Sequence, residues 1–197
     1  YEKIAGYLLA VARSKRGRYM AYFPSYQMME SVYDIFFRKK DEGLSVIMQN
    51  RGMDEKDREK FLEQFEAEDR WLMGFGVLGG IFSEGIDLTG DKLIGAAVIG
   101  TGLPKVTEET DLLRAHYDRN GLDGFDYAYK FPGMNKVQQA AGRVIRTVDD
   151  EGVILLLDDR FAQSGYRSIF PREWSDIRKC SLSNVSALLK EFWDSRG

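Results

Sequence analysis

Short apolar runs, each too brief for a long helix and bounded by turn residues, constrain this chain more than any other feature. The strongest is GVILLL at 152–157, and 44–48 and 93–99 are continuous or nearly so. YMAYF at 19–23 reads as a fourth buried strand. A fifth, at 72–78, is weakened by Gly74 and Gly76. Between the runs lie amphipathic segments at helical spacing. Ile4, Leu8 and Val11 mark a helix over 2–13, and Met28, Val32, Ile35 and Phe36 mark one to about 37, with Ser25 placed to cap it. Phe61, Leu62 and Phe65 form the single packed stripe of a charge-dense helix over 54–68. Further helices are expected over 107–117, 136–146 and 181–193. Five strands alternating with helices predict an α/β fold with a mostly parallel central sheet covered on both faces.

The 197 residues suit one domain, 1–197, and 44% hydrophobic content suffices for a sizeable core. A net charge of −3 argues against a general nucleic-acid coat, while leaving room for a local basic groove. The basic stretch RSKRGR at 13–18 is either a solvated turn or a phosphate-facing patch. One cysteine, Cys180, and one histidine, His116, exclude an intrachain disulfide and thiolate or poly-histidine metal clusters. No signal peptide or membrane-length apolar stretch is visible, so an intracellular, cytoplasmic protein is expected, nucleoid-associated if bacterial. A start at Tyr1 instead of methionine suggests a piece of a longer polypeptide.

Open parallel sheets bind ligands beyond the carboxyl ends of their strands, so the informative segments should follow strands. Phe23-Pro24-Ser25-Tyr26 is a strand-to-helix turn where Ser25 and the helix amides can hold a phosphate, or where Ser25 is simply a cap. GGIFSEGIDLTGDKL at 79–93 is a glycine-rich loop with acidic Glu84 and Asp87 set between apolar neighbours. It is either a close-approach loop or a surface turn. In QAAGRVIR at 139–146, Arg143 and Arg146 fall three apart, Gln139 lies four before Arg143, and Gly142 opens the face to close approach. Two guanidinium groups and an amide suit a polyphosphate, or pairing with Asp149, Asp150 or Glu151. No GxxxxGK[ST] cradle and no DExH-type acidic run is present. Arginines without a cradle suggest one half of a nucleotide site shared between domains.

In this order and at these spacings, the segments resemble the XPD/DinG helicases of superfamily two. The likeness runs over nearly the whole chain, as the second, C-terminal RecA-like motor domain. Phe23-Pro24-Ser25-Tyr26 resembles motif IV, Gly80 with Ser83-Glu84-Gly85-Ile86-Asp87 motif V, and Gln139 to Arg146 motif VI. Gly133 to Lys136, Leu157 to Phe161 and Ile169 to Trp174 are also family-like. The resemblance implies a RecA-like three-layer sandwich. It implies that Arg143 and Arg146 reach ATP phosphates, Arg146 being the better finger candidate, with Gln139 and Gly142 shaping the contact. Glu84, Gly85 and Asp87 would line and couple the nucleotide cleft, and Ser25, Tyr26 and Ser83 would face single-stranded DNA. It further implies ATP and Mg2+ bound mainly by a first motor domain, 5′ to 3′ movement, and in many members an iron–sulfur cluster on four cysteines of that first domain. Two other readings compete: a non-catalytic nucleic-acid-binding domain that kept the fold, and an unrelated α/β enzyme of the nucleotide or phosphate class.

Overall fold

The computed structural model describes residues 1–67, 69–80, 82, 93–145 and 150–196. Its described strands are β1 (Arg18–Phe23), β2 (Ser45–Met48), β3 (Leu72–Val77), β4 (Gly95–Ile99) and β5 (Val153–Leu157). They form one parallel sheet in the order β2-β3-β1-β4-β5. The longer helices are α1 (Glu2–Ser14), α2 (Tyr26–Lys39), α3 (Glu55–Glu66), α4 (Glu108–Arg119) and α5 (Phe131–Ala141). The short α6 (Ser164–Arg167) and the terminal α7 (Val185–Asp194) follow β5. This is the α/β architecture that the alternating runs predict.

Two apolar layers flank the sheet. On one face, α1, α2 and α7 pack Leu8, Val32, Phe36, Leu189 and Trp193 against Phe23, Phe75 and Ala97. Phe23 stacks on Phe75 at 5.4 Å and Phe36 meets the same ring edge-on at 5.3 Å. Such aromatic pairs add about 0.5–1.5 kcal/mol each beyond the area they bury. Two indoles, Trp193 buried and Trp71 half-buried, close the end of α1: Trp71 Nε1 donates to the Ala12 carbonyl at 2.8 Å, and Trp193 Nε1 to Ser14 Oγ at 3.1 Å. On the other face, α3, α5 and the turn after α5 pack Phe61, Phe65, Met134, Val137 and Val144 against Met20, Tyr22 and Val98.

Several expectations need correcting. The apolar runs at 44–48 and 152–157 are edge strands and only half-buried, whereas β1, β3 and β4 are almost wholly buried. Run length reports local apolarity, and it does not distinguish a central strand from an edge strand with a helix on each face. The weak-looking run at 72–78 lies inside the sheet, between β2 and β1. Its glycines mark close packing: a Cβ on Gly74 would fall 2.5 Å from Met20 Sδ and 2.7 Å from Phe65 Cζ. The basic stretch at 13–18 is not one turn. α1 runs through Ser14 and β1 begins at Arg18, whose buried side chain donates to the Ala67 carbonyl at 2.5 Å. Arg13 pairs with Asp41 at 2.6 Å, and Lys15 and Arg16 lie over the Trp193 and Trp71 rings. A stretch so committed to its own protein is poorly suited to be a phosphate-facing patch.

The helix expected over 136–146 is displaced. A π-helical turn, Asp126–Lys130, leads into α5, which begins at Phe131 and ends at Ala141. Pro132 directly follows the π turn as the second residue of α5 and cannot donate back to it. Gly142 closes the helix by donating to the Gln138 carbonyl at 2.8 Å.

Candidate functional site

The carboxyl edge of the sheet gathers the segments that follow strands. After β1, Ser25 caps α2: its Oγ accepts from the Met28 N–H at 3.3 Å. A cap of this kind contributes about 1 kcal/mol, modestly less at so long a distance. Ser25 is exposed and Tyr26 half-buried, so both remain reachable from solvent at the start of a fourteen-residue helix. After β4, the turn at 100–103 lies beside Pro24, and a cavity of about 320 Å³ opens between them, reaching Met28 and Asp158. Connections leave β1 and β4 toward opposite sides of the sheet, so this is the crevice where open α/β sheets take ligands.

After β5, Asp158 caps a 3₁₀ turn, Asp159–Ala162, and holds Arg160 bidentately at 2.8 and 2.7 Å. Burial pushes the Asp158 carboxyl up, but the Arg160 guanidinium and backbone N–H outweigh it and hold the group below the ordinary aspartate range. Sequence reasoning noted this segment only as family-like. Its visible work is to close the end of β5.

The arginine-bearing segment lies elsewhere. The N-terminal part of α5 docks on the carboxyl edge, where Gly133 meets the backbone of Thr101 and Gly102. The turn after it reaches the amino edge, where the Val144 side chain lies against Gly152, the residue that leads into β5. Past Ala141 the chain tightens into i→i+3 bonds, from Arg143 N to Ala140 O at 3.4 Å and from Val144 N to Ala141 O at 3.1 Å. Gln139 and Gly142 are exposed and Arg143 is half-buried. The helical spacing invoked for Gln139, Arg143 and Arg146 therefore ends before the first arginine. Arg143 is held by a turn whose anchor is the buried Val144. Of the acidic groups weighed as partners, Glu151 pairs with Arg196 at 3.2 Å.

Ser83, Glu84, Gly85, Asp87, Arg146 and Asp149 lie outside the described residues, as does any convergence of Asp87 with the arginines. Phe82, described in the middle of that segment, stacks on Phe61 at 4.1 Å and belongs to the α3/α5 face of the sheet. Gly79 lies against Lys136 of α5. Gly79 and Phe82 thus lie on the same face as α5, while Ser25 and Tyr26 stand at the carboxyl edge. One functional candidate escaped sequence reasoning altogether: Gln49, directly after β2, donates to Tyr26 Oη at 2.8 Å and accepts from the Val77 N–H at 2.9 Å. Among the described residues, no group of three or more His, Cys, Asp and Glu side chains is placed to hold a metal ion, and no helix is long and apolar enough to cross a membrane.

Comparison with known proteins matches residues 8–177 to a family described as the helicase C-terminal domain. The ATP-dependent DNA helicase YoaA of Haemophilus influenzae is 32% identical over 166 residues, covering 83% of this chain and 24% of that protein. The ATP-dependent DNA helicase XPD of Sulfolobus acidocaldarius is 27% identical over 195 residues, covering 95% of this chain and 32% of that one. A solved XPD helicase structure superposes with a TM-score of 0.65 at 22% identity, over 85% of this chain and 29% of that chain, a likeness of fold. The chain spans about a quarter of the length of curated relatives such as YoaA.

Proposed function

Because this chain belongs to the helicase C-terminal domain family, as a RecA-like motor domain of the XPD/DinG type, we propose that it is the second motor half of an ATP-dependent DNA helicase. The observation that carries the reading is the family match over 8–177, which spans the turn after β1, the segment after β3 and the Gln139–Arg146 segment together. In this reading 1–197 is one motor domain working against a first RecA-like domain of the same cytoplasmic protein. ATP and Mg2+ are held mainly by that first domain, since this sequence has no phosphate cradle.

The chain's own groups fit one wall of such a site. Gly142 is exposed and presents backbone without a side chain, and Arg143 follows it directly on an anchored turn. Arg143 and Arg146 supply positive charge to the triphosphate, with Arg146 as the finger, and Gln139 and Gly142 shape the contact. Glu84, Gly85 and Asp87 couple that cleft to the DNA track, and Ser25, Tyr26 and Ser83 face single-stranded DNA. An iron–sulfur cluster on four cysteines does not fit this chain, whose one thiol is Cys180, so any such cluster belongs to the first domain.

Steady-state phosphate release from the purified 197-residue chain should stay at background, because charge without a cradle or a magnesium carboxylate cannot position ATP. Multiple turnovers that disappear in Arg146→Ala would reveal a complete site and refute the half-motor reading. Binding of labelled single-stranded DNA should be weak and fall steeply with salt, as a protein of net charge −3 with part of a groove would give. Tight, salt-insensitive binding would contradict it.

A further inference from the structure

Gln49 is only 3% exposed, yet it lies where a strand has just ended. β2 stops at Met48, and the Gln49 N–H still donates to the Phe75 carbonyl at 2.8 Å. The main chain then turns away, and the next inward amide of β3, Val77 N–H, is accepted by the Gln49 side-chain Oε1 at 2.9 Å. The side chain thus extends the β2–β3 ladder by one bond, satisfying a donor that the departing backbone leaves behind.

That bond also orients the amide. A backbone N–H can only donate, so the oxygen must face Val77 and the nitrogen must face the other way. Nε2 accordingly donates to Tyr26 Oη at 2.8 Å. The phenol oxygen is used as an acceptor, which leaves its own proton to donate to an incoming group. The Arg51 guanidinium lies 5.1 Å from the Tyr26 ring centroid and is itself paired with Glu30 at 3.3 Å. Behind the amide, a Cβ on Gly80 would stand 3.5 Å from Nε2. One side chain therefore touches the end of β2, the end of β3 with the segment that leaves it, and the tyrosine at the start of α2.

We propose that Gln49 is a positioning residue that ties the Tyr26 hydroxyl to the carboxyl end of β3, so that a displacement of β3 at Val77 is transmitted to the tyrosine. The inference rests on the helicase reading for what Tyr26 faces, and on the two hydrogen bonds alone for the tie itself.

The test uses the complete helicase polypeptide with Gln49→Met, Tyr26→Phe and the double variant. Each single change should raise the single-stranded DNA concentration for half-maximal ATPase stimulation by roughly 3- to 10-fold, the scale of one lost buried hydrogen bond. The double variant should be no worse than the more damaging single change, since both break the same bond. Gln49→Glu can still accept from the Val77 N–H, but it can only accept from Tyr26 and so takes the hydroxyl proton that would face an incoming group; it should preserve Val77 protection without restoring the stimulation. Multiplying factors in the double variant overturn the tie, and full stimulation in Gln49→Glu overturns the orientation argued for the tyrosine proton. Hydrogen exchange at the Val77 amide gives a readout that needs no activity. It should quicken in Gln49→Met and, to a smaller extent, in Tyr26→Phe. Unchanged Val77 protection in Tyr26→Phe overturns the coupling even in an active helicase. Absence of any DNA-stimulated ATPase in the unaltered protein would refute the helicase reading and leave the exchange result to decide the tie.

Discussion

Arg146→Ala in the complete helicase polypeptide is expected to cut ATP turnover roughly 10³- to 10⁵-fold, the range over which an arginine finger acts. The magnitude is large because charge develops on the transferring phosphoryl group in a site that excludes water, where a guanidinium is worth far more than in solvent. Folding should be little affected, because α5 ends at Ala141 and the turn after it has its buried anchor at Val144. Arg143→Ala provides the comparison. Arg143 is half-buried on the anchored turn, so its loss should reduce ATP affinity and stability together, whereas Arg146→Ala should act mainly on kcat. Single-turnover hydrolysis with saturating ATP, beside equilibrium nucleotide binding, separates the two. Near-normal turnover in Arg146→Ala would refute its role as a finger and leave the charge to Arg143.

The sheet was legible in the sequence because each buried strand is a short apolar run between turn residues, and the five runs at 19–23, 44–48, 72–78, 93–99 and 152–157 correspond to the five described strands. Their order was not, because apolarity is local and strand order is set by how the helices cross. Hence 152–157, the most apolar run, is an edge, and the glycine-bearing 72–78 lies inside the sheet, where Gly74 leaves room for Met20 and Phe65. Ser25 was readable as a cap because capping requires only a hydroxyl before an amphipathic run. The start of α5 was misplaced by a few residues because Pro132 and Gly133, both helix breakers by propensity, sit in its first turn. The helix also ends early, at Ala141, which takes Arg143 off it and with it the spacing argument that joined Arg143 to Arg146. Gln49 carried no signal, since a single glutamine after a strand has no periodicity. Its burial follows only from Tyr26 and Val77 converging on it in three dimensions.

Gly133→Ala should destabilise the domain by about 2–3 kcal/mol, the scale of overpacking a tight contact. Helix propensity alone predicts the reverse, because alanine is favoured over glycine by about 1 kcal/mol within a helix. The contact decides the sign. A Cβ on Gly133 would stand 2.5 Å from the Thr101 carbonyl oxygen and 3.1 Å from the Gly102 carbonyl carbon, and both are backbone atoms that cannot swing aside as a side chain would. The facing turn has little freedom to retreat: Gly102 is held at φ +68°, and a Cβ there would meet the Gly133 carbonyl oxygen at 2.7 Å. Relief requires α5 to move off the end of β4, loosening Met134 and Val137 from the α3/α5 face of the core. For a domain of this size the change should lower Tm by roughly 5–10 °C, read in a thermal melt of the purified chain. The displaced helix would carry Gln139, Gly142 and the Arg143 turn with it, so in the complete helicase the same variant should lose ATPase activity well below its melting temperature. An unchanged or raised Tm would mean that the backbone-to-backbone contact between α5 and the turn after β4 yields easily, and that α5 is not positioned by it.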